Sequence, residues 1–184
     1  LGYVLRFVSL ITSLIAVVFT YLAGRILFPD KPYLALLAAA FVAFEPTSMI
    51  VASEINNDNL ILALGAVHLW FCARLIHRKG ALIGNLAGLL IVAVLALLSK
   101  ISGWLMLGIS IVLIANFLLQ MTRQRISRRQ KQVALGIAGA FIVAVVGIIA
   151  FNIAQYGSPL GRYRGLEKTV VTTLQNLSPR HVVN

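Results

Sequence analysis

The length of its apolar runs limits this chain more than any other feature. They last about twenty residues each, and short basic or proline-containing segments separate them. A helix of about 20 apolar residues covers roughly 30 Å of hydrocarbon. In that medium every backbone N–H and C=O must find its partner within the segment, which a helix achieves. Composition agrees: 60% of the 184 residues are hydrophobic and 11% are charged, where a soluble domain carries about 25% charged residues. The expected fold is all-α, a polytopic transmembrane helix bundle of about six spans. These fall at about 3–28, 33–52, 58–76, 81–98, 104–119 and 132–154. Residues 155–184 are polar enough to leave the bilayer and are expected to form a non-cytoplasmic loop or tail.

Several boundaries have identifiable causes. Phe28-Pro29-Asp30-Lys31-Pro32 ends the first helix, because proline cannot continue a helix and restricts the residue before it. Glu45-Pro46 interrupts the second run after a strictly apolar stretch from Leu34 to Phe44, so that helix is expected to kink or break there. Ser99-Lys100-Ile101-Ser102-Gly103 makes a very tight connection between the fourth and fifth spans. Gly84-x-x-x-Gly88 and Gly136-x-x-x-Ala140 put small residues on one helix face, where backbones can approach closely. The one cysteine, Cys72, rules out an intramolecular disulfide. The first apolar run begins almost at Leu1 and is too long for a signal-peptide core, so the chain reads as a piece of a longer protein.

The net charge of +11 sits in the connections. Arg25 and Lys31, then Arg74, Arg78 and Lys79, then Arg123, Arg125, Arg128, Arg129 and Lys131 all fall on one set of alternating connections. The opposite set holds Lys100 between spans, with Arg162, Arg164, Lys168 and Arg180 in the tail. Basic loops stay cytoplasmic. Loops 25–32, 74–80 and 120–131 are therefore expected inside, and 53–58, 99–103 and 155–184 outside. Bases arranged this way are orientation signals, so nucleic acid is not an expected partner; the lipid bilayer is.

The polar knot Ser53-Glu54-Ile55-Asn56-Asn57-Asp58-Asn59 stands out between apolar runs. On the expected topology it shares the outer face with Lys100. Glu54, Asn56, Asn57, Asp58 and Lys100 then offer two carboxylates, amide oxygens and an ammonium. Carboxylate and amide oxygens suit a divalent cation such as Mg²⁺, Mn²⁺ or Ca²⁺, with Glu54 and Asp58 as its ligands. Lysine suits phosphate. Each residue also has a plainer reading. Asp58 opens a helix, where it caps free N–H groups. Lys100 at a helix end snorkels to the interface. Glu45 and His68 are the intramembrane polar residues. Glu45 either faces a cavity or marks a wet helix end. His68 is expected to make an interhelical hydrogen bond, with a proton relay as the rarer role. No Walker A loop, CxxC, HExxH or GxSxG motif is present.

The order of short motifs resembles a known family. Leu5-Arg6-Phe7 opens a helix closing on Ala23-Gly24-Arg25-Ile26-Leu27-Phe28. Ala38-Ala39-Ala40, Pro46, Asn56-Asn57-Asp58-Asn59-Leu60 and Leu97-Leu98-Ser99-Lys100 follow. Asn152-x-x-x-Tyr156-Gly157-Ser158-Pro159-Leu160-Gly161 comes after the last span. This is similar to the membrane module of GT-C superfamily glycosyltransferases of the protein O-mannosyltransferase and aminoarabinose-transferase type. The resemblance implies a polyprenyl-phosphate-linked sugar donor, transfer on the non-cytoplasmic side, and an acceptor glycan, lipid or protein. It places Glu54 to Asp58 at the rim of the substrate cavity, Lys100 near the lipid phosphate, and Tyr156 at the start of an outer loop that helps cover the substrate. It also implies that the first helix and first outer loop, with the catalytic acid, lie upstream of Leu1, leaving this fragment inactive alone. A bacterial inner membrane is the expected location. Rival readings are a transporter or flippase for a lipid-linked or small anionic substrate, and a non-catalytic membrane assembly subunit. A transporter would show an inverted repeat, and none is visible.

Overall fold

In the computed structural model, residues 2–45, 57–100, 102–123 and 128–157 are described. Among them there are six helices and no strand. They are α1 Gly2–Leu27, α2 Pro32–Phe44, α3 Asn57–Ile76, α4 Leu82–Ser99, α5 Gly103–Arg123 and α6 Arg128–Tyr156. Four carry apolar stretches long enough to cross a membrane: Arg6–Leu27, Asp58–Ile76, Leu82–Ser99 and Gln132–Gln155. The other two are shorter where apolar, over Pro32–Phe44 and Gly103–Phe117. At 1.5 Å per residue the 13 residues of α2 reach about 20 Å. That helix stops where Glu45 precedes a proline. The rest of the run expected over 33–52, including the break at Pro46, lies outside the described residues.

The chain divides into two compact units, Leu1–Gly139 and Ala140–Asn184. In the first, α1 packs against α2 and α3, α3 against α4, and α4 against α5, with a lighter contact between α3 and α5. Small residues line these seams. Ala16, Ala23, Ala35, Ala39, Ala63 and Ala66 are all buried. The large side chains point the other way: Phe41 is 71% exposed and Phe44 74%. A water-soluble protein would not present such a surface. Lipid accepts it, and backbone proximity rather than hydrophobic collapse then holds the helices. Gly24 shows how close the approach is. A Cβ there would lie 2.8 Å from both Cα and Cβ of Ala35.

Of the two small-residue motifs, the first is half used. A Cβ on Gly88 would meet the Phe71 ring at 2.2 Å, so that glycine makes room for an aromatic side chain on α3. Among the described residues, Gly84 has only Ala81 within reach, and nothing lies near Gly136. The second unit is described over the end of α6 and Gly157, whose φ of 66° and N–H bond to the Ile153 carbonyl close the helix. Helix continues to Tyr156, two residues past the expected span. It also covers Arg128 to Lys131, which the hydropathy pattern assigned to a loop.

The α3–α4 turn closes with a Schellman arrangement. Lys79 N–H donates to the Arg74 carbonyl and Arg78 N–H to that of Leu75. Its left-handed position is filled by Arg78, with φ 53°, although glycine is the usual occupant. Relieving that strain with Arg78→Gly should stabilise the fold by about 1 kcal/mol, read as a raised Tm in detergent.

Candidate functional site

Asp58 and Lys100 meet at one end of the bundle. Asp58 lies in the first turn of α3, one residue inside the helix that Asn57 opens. Its carboxylate is therefore favoured by the helix dipole. Lys100 is the residue that ends α4, with φ −158° and ψ 155°. The α4–α5 turn is very short, because Gly103 N–H bonds the Lys100 carbonyl at 2.9 Å and α5 starts at once. Lys100 Nζ donates to Asp58 Oδ1 and forms an ion pair. The two side chains are 31% and 38% exposed, Asp58 and Lys100 respectively. The pair is thus open to a ligand and sits where α3, α4 and α5 converge.

Asn59, next in sequence, is almost wholly buried. It shares a face of α3 with Ala63 and Ala66 at helical spacing, so the knot is half rim and half core. Glu54 and Asn56 lie outside the described residues. Asn57 is the first residue of α3 and Tyr156 the last of α6. Glu45 caps α2 rather than sitting within a helix, its N–H bonding the Phe41 carbonyl at 2.8 Å. Among the described residues, no three His, Cys, Asp or Glu side chains gather as a metal site. The Asp58 carboxylate is paired with Lys100.

A second polar group lies deeper. His68 is ten residues along α3 from Asp58, about 15 Å, and is buried. Its Nε2 is 2.8 Å from Ser110 Oγ on α5. Ser110 Oγ in turn donates to the Met106 carbonyl at 2.9 Å. The hydroxyl proton is thereby used, so Nε2–H must be the donor to Ser110. Nδ1 is left as acceptor, and the Cys72 thiol stands 3.6 Å from it. The expected interhelical bond of His68 is present, and it ties α3 to α5. Sequence reasoning missed Ser110 because a single serine in an apolar run carries no periodic signal. Ser110→Ala would strand the Nε2–H in apolar surroundings. It should cost about 1–2 kcal/mol of stability, measured by unfolding in mixed micelles.

Helices of this length and apolar surface, with the described buried polar groups in their seams and charges at their ends, define an integral membrane protein. Comparison with known proteins narrows that class. The sequence profile described as dolichyl-phosphate-mannose-protein mannosyltransferase matches residues 2–149, well over half of the chain. The chain belongs to this GT-C-type family of membrane glycosyltransferases. No curated protein and no solved structure matches it.

Proposed function

We propose that the chain is part of a membrane glycosyltransferase that moves a sugar from a polyprenyl-phosphate donor to an acceptor glycan, lipid or protein. Transfer takes place on the non-cytoplasmic side, the side opposite the bases of 25–31, 74–79 and 123–131. The observation that carries the reading is the Asp58–Lys100 pair, open at one end of a bundle whose family transfers sugars. Donor cleavage leaves a lipid phosphate whose negative charge rises as the glycosidic bond breaks. An ammonium aimed at that phosphate binds more tightly in the transition state than in the ground state, which lowers the barrier. Lys100 is suited to this as a mobile point charge. Asp58 holds it ready and releases it when phosphate arrives. A carboxylate base would take the proton of the acceptor hydroxyl or amine.

The test is consumption of a polyprenyl-phosphate sugar by membranes carrying the full-length protein. Lys100→Ala should lower kcat/KM for the donor by roughly 10- to 100-fold, the loss of one charge-assisted contact. Asp58→Asn should lower it less. Unchanged consumption in both variants would remove the pair from the site. A flippase would instead move the lipid-linked substrate across sealed vesicles without consuming it.

A further inference from the structure

At the far end of α3 from Asp58, Arg74 is held in an unusual way. Its guanidinium lies over the Trp70 ring, 4.5 Å from the centroid. A terminal nitrogen of the same group packs on Gly80, where an added Cβ would stand only 2.0 Å from it. Gly80 has φ 72°, in the left-handed region that favours glycine. The turn is braced from α4 as well, by Asn85 Nδ2 donating to the Lys79 carbonyl at 2.6 Å. So the guanidinium is clamped between an indole and a backbone that only glycine supplies.

One of its donors is not met there. Arg74 Nε is buried with no acceptor, and no acid pairs with the side chain among the described residues. A cation at a helix C-terminus is favoured by the dipole, and stacking on tryptophan adds to that. Both account for the charge, but neither supplies an acceptor for the buried Nε–H. His77 and Lys79 stand exposed beside it, so the turn is strongly basic. Depth is also set. Asp58–Ile76 is 19 residues long and apolar, about 28 Å, so its end lies where hydrocarbon meets headgroups. Arg74 lies two residues inside that end, about 3 Å.

We propose that the α3–α4 turn is a seat for the phosphate of an anionic phospholipid, with the Arg74 guanidinium, clamped on Trp70, as its principal donor. An oxyanion of the right shape satisfies the fork, and the lipid's chains cover the neighbouring apolar surface. The seat is separate from the Asp58–Lys100 end and stands whether or not that end binds a sugar donor.

The chain has two tryptophans, so Trp104→Phe leaves Trp70 as the reporter. The full chain is reconstituted in phosphatidylcholine vesicles containing either brominated phosphatidylglycerol or brominated phosphatidylcholine. Bromines quench a tryptophan that they touch. Trp70 should show roughly fivefold preference for phosphatidylglycerol, the attraction of about one well-placed base. Arg74→Gln should bring that ratio close to one. Gly80→Ala keeps every charge but displaces the guanidinium, and should abolish the preference too. Equal quenching by both lipids overturns the proposal. So does a preference that survives both substitutions, which would mean diffuse attraction by the whole basic face. Displacement by millimolar inorganic phosphate would assign the seat to a free anion and overturn the lipid.

Discussion

Exchanging the charges, Asp58→Lys with Lys100→Asp, is expected to leave a folded protein that no longer consumes lipid-linked sugar. The swap keeps an ion pair at the same place and reverses its ends. If the pair only braces α3 against α4, the exchange should restore whatever either single substitution loses. If Lys100 serves the donor phosphate, the exchange puts a carboxylate where an ammonium is needed. Activity should then fall by roughly 100-fold or more, beyond the loss of Lys100→Ala, because a like charge now repels the phosphate. Stability should fall by only about 1–2 kcal/mol, since solvent screens the pair, whose side chains are about a third exposed, and the exchange sets each charge against its helix dipole. Tm and donor consumption, measured on the two single variants and the double, complete the cycle. Recovery of activity in the double variant would reduce the pair to a brace.

The second large effect is expected from Gly103→Ala. A Cβ there would lie 2.3 Å from the carbonyl carbon and oxygen of Ala96 and 2.4 Å from Leu97 N. These are backbone atoms of α4, so no rotamer change relieves the clash. The turn must open, at a cost of about 3 kcal/mol. Opening it also carries Lys100 away from Asp58. The variant should therefore lose Tm and donor turnover together. A milder control is Gly136→Ala, which meets nothing within 4 Å among the described residues and should leave both unchanged.

How much of this was legible in the sequence varies with the kind of signal. The helices were, because a run of apolar residues in lipid has one backbone solution. The expected all-α bundle is observed, and so is the α1–α2 break at Pro29 and Pro32. Ends were less legible. Arg128 to Lys131 looked like loop because they are charged, but charge does not forbid a helix, and arginine and lysine are good helix formers. The site was legible in part. The polar knot and Lys100 could be assigned to one side by alternation, and the structure joins Asp58 to Lys100 across 42 positions. Alternation could not say which member of the knot reaches across. Nor could it find Ser110 or Asn59's buried face, because each depends on which residue faces it from another helix; the clamp on Arg74 depends instead on how the turn at Gly80 folds back on a side chain stacked one helical turn from Trp70. The small-residue motifs show the same limit. Gly24 and Gly103 make closer approaches than Gly84 or Gly136, yet only the latter pair belonged to a recognisable pattern.

The seams of alanine have a consequence for how this protein tolerates change. In a water-soluble domain the large inner side chains are the fragile ones and the surface is permissive. Here the fragile positions are the smallest. Ala23, Ala35 and Ala93 are wholly enclosed, and a leucine at any of them has no room between two backbones. Phe41 or Leu105, facing outward, has only to remain greasy. A saturation library should thus read inside out, with size forbidden at the seams and charge forbidden on the outward apolar faces of the helices. Drift in such a chain would erase its bulky residues first and keep its alanines and glycines longest.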